Sequence, residues 1–200
     1  FDNSWGRYSF SKWITQKNKE IQDSIQYAKR IQKAILPPKE LVNDYLPNSF
    51  ILYKPKDIVA GDFYWMEHTQ NKTIFAVADC TGHGIPGAMV SMICSAALNK
   101  SLYEDEINEP AKILDETRQL VEDRFVRAKD KIKDGMDISL CSLEKEKGVL
   151  KWAGANNPLW ILRKGSEEVE VISPNKQPVG YVENPEAFKT IVKKAQAALN

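Results

Sequence analysis

Between residues 13 and 36 the apolar positions recur at helical spacing. Ile14, Ile21, Ala28 and Ile35 fall every seven residues, with Ile25 between them and polar residues elsewhere. This predicts one long amphipathic helix, stopped by Pro37-Pro38. Residues 1–12 have no clear period and read as a linker or a frayed helix start. Short apolar runs then take over. Residues 49–53, 62–67 and 73–79 read as strands, the last two joined by a hairpin through 68–72. Two helical runs follow, 86–102 and 110–128, the second with Ile113, Leu114, Leu120, Val121 and Phe125 on one face. Residues 136–143, 149–153, 159–162 and 169–172 read as further strands with turn-rich connections. Strands, two helices and then a meander describe an α+β fold, not the alternation of a doubly wound parallel sheet.

Composition narrows the class. The chain has 200 residues, 42% hydrophobic and 28% charged, enough for one domain with a substantial core plus a helical extension. Its apolar runs fall far short of the ~18–20 residues of a membrane span, and no secretory signal is visible. A net charge of +1 argues against a general nucleic-acid binder. Three scattered cysteines, Cys80, Cys94 and Cys141, fit a reducing cytoplasm and give no disulfide framework. Cys94 and Cys141 lie in apolar surroundings and read as small core residues.

The candidate chemistry centres on Asp79-Cys80-Thr81-Gly82-His83-Gly84-Ile85-Pro86-Gly87-Ala88. A buried strand delivers Asp79 to a glycine-rich turn, and Pro86 suits the first turn of the following helix. A sole leading aspartate favours a hard cation over an anion there. If strands 62–67 and 73–79 pair as a hairpin, one starts where the other ends, so Asp62 and Asp79 share one sheet edge. Mg²⁺ or Mn²⁺ suits such carboxylates, whereas no His/Cys cluster suited to zinc is present. His83 reads either as a turn histidine or as a group that contacts metal-bound water or a leaving group. Lys54 and Lys56 could draw in a phosphoprotein or simply be solvated.

The glycine-rich string resembles the signature of the PPM (protein phosphatase 2C-like) family, in its bacterial SpoIIE-type branch. Residues 27–37, 54–65 (ending Gly61-Asp62-Phe63-Tyr64-Trp65), 134–141 (Asp134-Gly135-Met136-Asp137 onward) and 153–159 (with Gly154-Ala155-Asn156-Asn157-Pro158) resemble family motifs in the family's order, so the resemblance covers roughly residues 20–182. It implies an α-β-β-α sandwich of two antiparallel sheets flanked by helices. It also implies a metal-dependent serine/threonine phosphoprotein phosphatase acting through metal-activated water. By resemblance Asp79 bridges two Mn²⁺ or Mg²⁺ ions, the Cys80 carbonyl binds one and Asp62 supports the site. Asp134 matches the place of a further, weaker metal, with Asp137 its rival.

The family's site also uses two later aspartates, and Asp137 is the last one in this sequence. Two divalent ions carry four positive charges, of which Asp62 and Asp79 offset two, so a weakly active or inactive chain with the last strands missing is the expectation. Residues 1–38 then form a linker or signalling helix, 39–188 an incomplete phosphatase domain, and 189–200 a tail that the sequence assigns to neither helix nor strand. The expected partners are a phosphorylated regulatory protein, an upstream sensor and a second copy through the N-terminal helix. Nucleic acid and a direct membrane span are not expected. The alternative to the enzyme is a catalytically dead module that dimerises or binds a regulator in bacterial signalling.

Overall fold

The strands at the centre of the chain pair largely as their period predicts. A computed structural model describes residues 4–69, 71–104, 106–126 and 133–195. β1 (Phe63–Thr69) and β2 (Lys72–Cys80) form the expected antiparallel hairpin, with Thr69 opposite Lys72 and Phe63 opposite Ala78. β3 (Gly135–Glu144) pairs with β2, and β4 (Val149–Ala155) with β3. β5 (Leu159–Leu162) and β6 (Val169–Ile172) pair only with each other. Two strands escape the periodicity. β7 (Val179–Gly180) joins β3, and β8 (Ile191–Lys194) pairs with β4, which makes the undecided tail a strand up to Lys194. Residues 196–200 of that tail lie outside the described residues. The main sheet therefore runs β1-β2-β3-β4-β8 with β7 on β3, and β5-β6 is a second, two-stranded sheet. The class is α+β with antiparallel sheets.

α3 (Gly84–Tyr103) and α4 (Pro110–Val126) cover one face of the main sheet. Strand alternation sends Phe63, Trp65, Ile74, Ala76, Ile138 and Leu140 to that side, where they form one buried core with Cys94, Leu98, Ile113, Leu114 and Val121. Arg127 and Ala128 of the second predicted helix lie outside the described residues. On the opposite face Cys141 and Trp152 pack with Phe75, Leu159, Ile161 and Ile172, so the small sheet covers the β3-β4 half. Among the described residues the second sheet has two strands.

Three expectations change. Residues 49–53 are not a strand: Phe50 and Leu52 are 91% and 86% exposed, so that face of the run finds no buried surface, and Pro55 removes a donor just beyond it. α2 (Lys39–Tyr45), a short polar stretch in the sequence, is helical and stacks Tyr45 on His68. α1 runs from Ser4 to Lys33, starting earlier than the linker reading allows, with residues 34–36 in a terminal turn.

α1 does not lie along the domain. Its seven-residue seam stays in solvent at Ile14 and Ile21, and only the last turns dock. Docking centres on Gln32, a polar residue near the end of the helix. Its side chain is 5% exposed, donates to Ala60 O (2.5 Å) and Ser91 Oγ (3.0 Å), and accepts from Ala60 N (3.1 Å). Gln32→Ala would leave both backbone groups of Ala60 buried without that partner, so urea unfolding is expected to show a loss of about 2 kcal/mol or more. Ile14→Ser together with Ile21→Ser is expected to change the stability of the monomer by less than about 0.5 kcal/mol in the same assay.

Candidate metal centre

Register places the backbones of three aspartates at one end of the main sheet. Asp79 pairs with Asp137 across β2-β3, and Asp62 directly precedes Phe63, the partner of Ala78, which brings it beside Asp79. The Asp79 carboxyl is pushed above its ordinary range, first by lost hydration at the strand end and then by the hydrogen bond and charge of Asp62. Asp137 is tied down differently: Asn156, at φ 55°, donates to its Oδ1 at 2.8 Å. The sequence offered Asp137 as a rival of Asp134 and gave Asn156 no part; the turn-rich Gly154-Ala155-Asn156-Asn157-Pro158 was the available signal for a residue in the left-handed region. Asp134 stands just before β3 with its backbone carbonyl against Gly180, and it does not line the small cavity of about 140 Å³ shared by Asp79, Cys80 and Asp137.

Close backbone contacts hold this end together. A Cβ on Gly61 would lie 2.6 Å from Gly82 O and 3.0 Å from Cys80 O, and one on Gly87 would lie 2.5 Å from Gly82 O. Gly82 itself has φ +88°, a conformation L side chains rarely adopt. The strand–turn–helix string is thus packed, glycine on glycine, against the segment that carries Asp62. Thr81 continues the β2-β3 ladder, its N–H donating to Gly135 O at 3.0 Å. The Cys80 thiol is buried, hydrogen-bonded to Cys94 and held protonated. Residue 80 therefore has no thiolate to offer a metal.

Tyr53 O–H donates to Asp62 O at 3.1 Å. Its phenol is pushed up, by burial first and then by the Asp62 charge. Tyr53 and Lys54 belong to the wall of a cavity of about 630 Å³ that ends at Asp62, Asp79 and Asn157. Its floor includes Val77, 59% exposed in the middle of β2. His83 sits at the start of α3, with Nδ1 3.1 Å from Asp57 Oδ2.

The family model for Stage II sporulation protein E (SpoIIE) matches residues 69–196. The chain belongs to the SpoIIE family. Its SpoIIE-type domain is similar to the SiaA PP2C domain of Pseudomonas aeruginosa at 30% identity and a TM-score of 0.77, over 90% of this chain and 69% of that one. Two further structures share the fold. The PP2C phosphatase domain of SpoIIE from Bacillus subtilis, solved with a fragment of its regulatory domain, is 22% identical with a TM-score of 0.54, over 69% of this chain and 38% of that one. RsbX in complex with magnesium is 21% identical with a TM-score of 0.52, over 74% and 66%. No curated protein matches the chain.

Asp62, Asp79 and the Cys80 carbonyl are all hard oxygen donors, and a pair of repelling carboxylates at a solvent-facing strand end is relieved by one divalent cation. They fit one Mn²⁺ or Mg²⁺. Among the described residues no three His, Cys, Asp or Glu side chains come together as a metal-holding group, so they do not fit a two-ion centre.

A group whose pKa is raised by folding supplies stability below its unfolded pKa and loses it as pH rises through the folded value. Metal-free Asp79→Asn, fixed in the neutral form, is therefore expected to melt higher than the wild type at pH 7, with the gap closing as pH falls toward the ordinary value of 3.8. Millimolar Mn²⁺ is expected to raise the melting temperature of the wild type and leave Asp79→Asn unmoved. A Gly61→Ala chain is expected to lose that Mn²⁺ response, because its methyl group would collide with the Gly82 carbonyl.

Proposed function

We propose that this SpoIIE-type domain is a metal-dependent serine/threonine phosphoprotein phosphatase that hydrolyses a phosphomonoester on a regulatory protein. The observation that carries the reading is the adjacency of Asp62 and Asp79, with the Asp79 carboxyl raised by its surroundings. Bound Mn²⁺ or Mg²⁺ supplies charge neutralisation for the phosphoryl oxygens and a lowered pKa for water. Asp62, Asp79 and the Cys80 carbonyl hold the ion. Lys54, on the wall of the same cavity, favours approach of the dianionic phosphate. His83 returns a proton to the leaving oxygen. With two carboxylates in the site, activity of this chain is weak or absent.

The N-terminal helix is read as the regulatory element. Through Gln32 its docked end holds Ala60, two residues before Asp62, so a movement of α1 is felt at the carboxylate pair. The SpoIIE structure with part of its regulatory domain supports an upstream sensor here. The exposed seam of Ile14 and Ile21 supports pairing with a second copy. Among the described residues no helix is long and apolar enough to cross a membrane, and we place the domain in the cytoplasm of a bacterial signalling system.

The lack of a third acidic ligand among the described residues favours a second reading, a catalytically dead module that dimerises or binds a regulator. Mn²⁺-dependent hydrolysis of p-nitrophenyl phosphate separates the two. Slow turnover that needs Mn²⁺ and falls at least about 100-fold in Asp79→Asn is expected of the phosphatase. Identical background rates in both proteins would favour the binding module.

A further inference from the structure

Asp57 has no part in the metal site, yet its carboxylate faces one ring nitrogen of a histidine at the same sheet end. Asp57 Oδ2 lies 3.1 Å from His83 Nδ1, and the imidazole side chain is 78% exposed. An ionised aspartate accepts hydrogen bonds and cannot donate, so Nδ1 carries the proton and Nε2 is turned to solvent. Asp57 lies five residues before Asp62 on one irregular segment, and His83 opens α3 three residues after Cys80. The two segments are pressed together where Gly61 meets the Gly82 carbonyl. Asp57 Oδ2 also lies 3.6 Å from the position of a Cβ on Gly84, which places the carboxylate over the first turn of α3. An exposed histidine would sample many orientations without such a partner.

We propose that Asp57 is a positioning residue for His83. It holds the ring with Nδ1–H toward the carboxylate, so that Nε2 delivers a proton to the leaving seryl or threonyl oxygen. This rests on the phosphatase reading above. In the step, the oxygen of water forms a new bond to phosphorus and the bond from phosphorus to the side-chain oxygen breaks. The electron pair of the broken bond stays on the leaving oxygen, which takes the Nε2 proton of the imidazolium. The products are a free hydroxyl side chain and inorganic phosphate. The imidazole, left neutral with its proton on Nδ1, recharges from bulk water. Asp57 assists through geometry, which selects the nitrogen that is spent.

Nitrogen-15 NMR tests the positioning without turnover. The sequence has two histidines, His68 and His83, so a His68→Gln chain assigns the signals. Neutral His83 is expected in the Nδ1–H form in the wild type and mainly in the Nε2–H form in Asp57→Ala, with circular dichroism confirming that the variant is folded. An Nε2–H form in the wild type would overturn the proposal. Turnover with Mn²⁺ tests the donor role. Asp57→Ala is expected to slow hydrolysis of a phosphoserine peptide by about 100-fold and to change p-nitrophenyl phosphate hydrolysis little, because nitrophenolate leaves without a proton. Equal losses on both substrates would overturn the donor role. No turnover by the wild type on either substrate would overturn the phosphatase reading and the donor role with it, while the tautomer still decides whether Asp57 orients His83.

Discussion

Everything at the candidate site depends on three backbones meeting around one carbonyl. Gly82 O lies so close to Gly61 and Gly87 that a methyl group on either would overlap it. Because none of the three has a side chain, the segment before β1, the turn after β2 and the first turn of α3 occupy nearly the same space. That contact sets Asp62 beside Asp79, points the Cys80 carbonyl at Gly61 and puts His83 within reach of Asp57. Side chains larger than hydrogen would separate the segments and dissolve the site without touching a charged group.

The contact imposes an electrostatic cost. Two carboxylates on adjacent strand ends repel, and the Asp79 carboxyl is raised first by lost hydration and then by Asp62. Asp137, next in register, avoids sharing it by hydrogen-bonding to Asn156. Such stored repulsion is what a divalent cation relieves, and the donors available match the charge of one ion better than two. The asymmetry of the fold runs in the same direction. The face under α3 and α4 is a continuous core, whereas the face bearing the aspartates is covered over β3-β4 by a two-stranded sheet and stays open over Val77.

α1 adds a mechanical connection. α1 is thirty residues long, Ile14 and Ile21 on it are exposed, and its C-terminal end holds the backbone of Ala60 through Gln32. A buried amide that satisfies a backbone N–H and C=O at once is hard to displace without cost, so the end of the helix is tied to the segment that leads to Asp62.

The sequence by itself determined the parts whose burial is periodic. The β1-β2 hairpin, the helices beginning near Pro86 and Pro110 and the strands of the meander were legible because one buried face imposes a period of two or about 3.6 on the residues. The Asp62–Asp79 pairing followed from hairpin connectivity, since one strand must begin where the other ends. Tertiary structure decided what has no period. Residues 49–53 have strand composition but leave Phe50 and Leu52 exposed, β7 and β8 are too short to show a pattern, and α2 is held by Tyr45 on His68. Neither could the string Asp134-Gly135-Met136-Asp137 reveal which acid stands beside Asp79, because a shift of one residue in register sends a side chain to the other face. Gln32 shows the same limit. Along the chain it interrupts a hydrophobic seam, and only the approach of Ala60, twenty-eight positions away, turns it into the anchor of the helix.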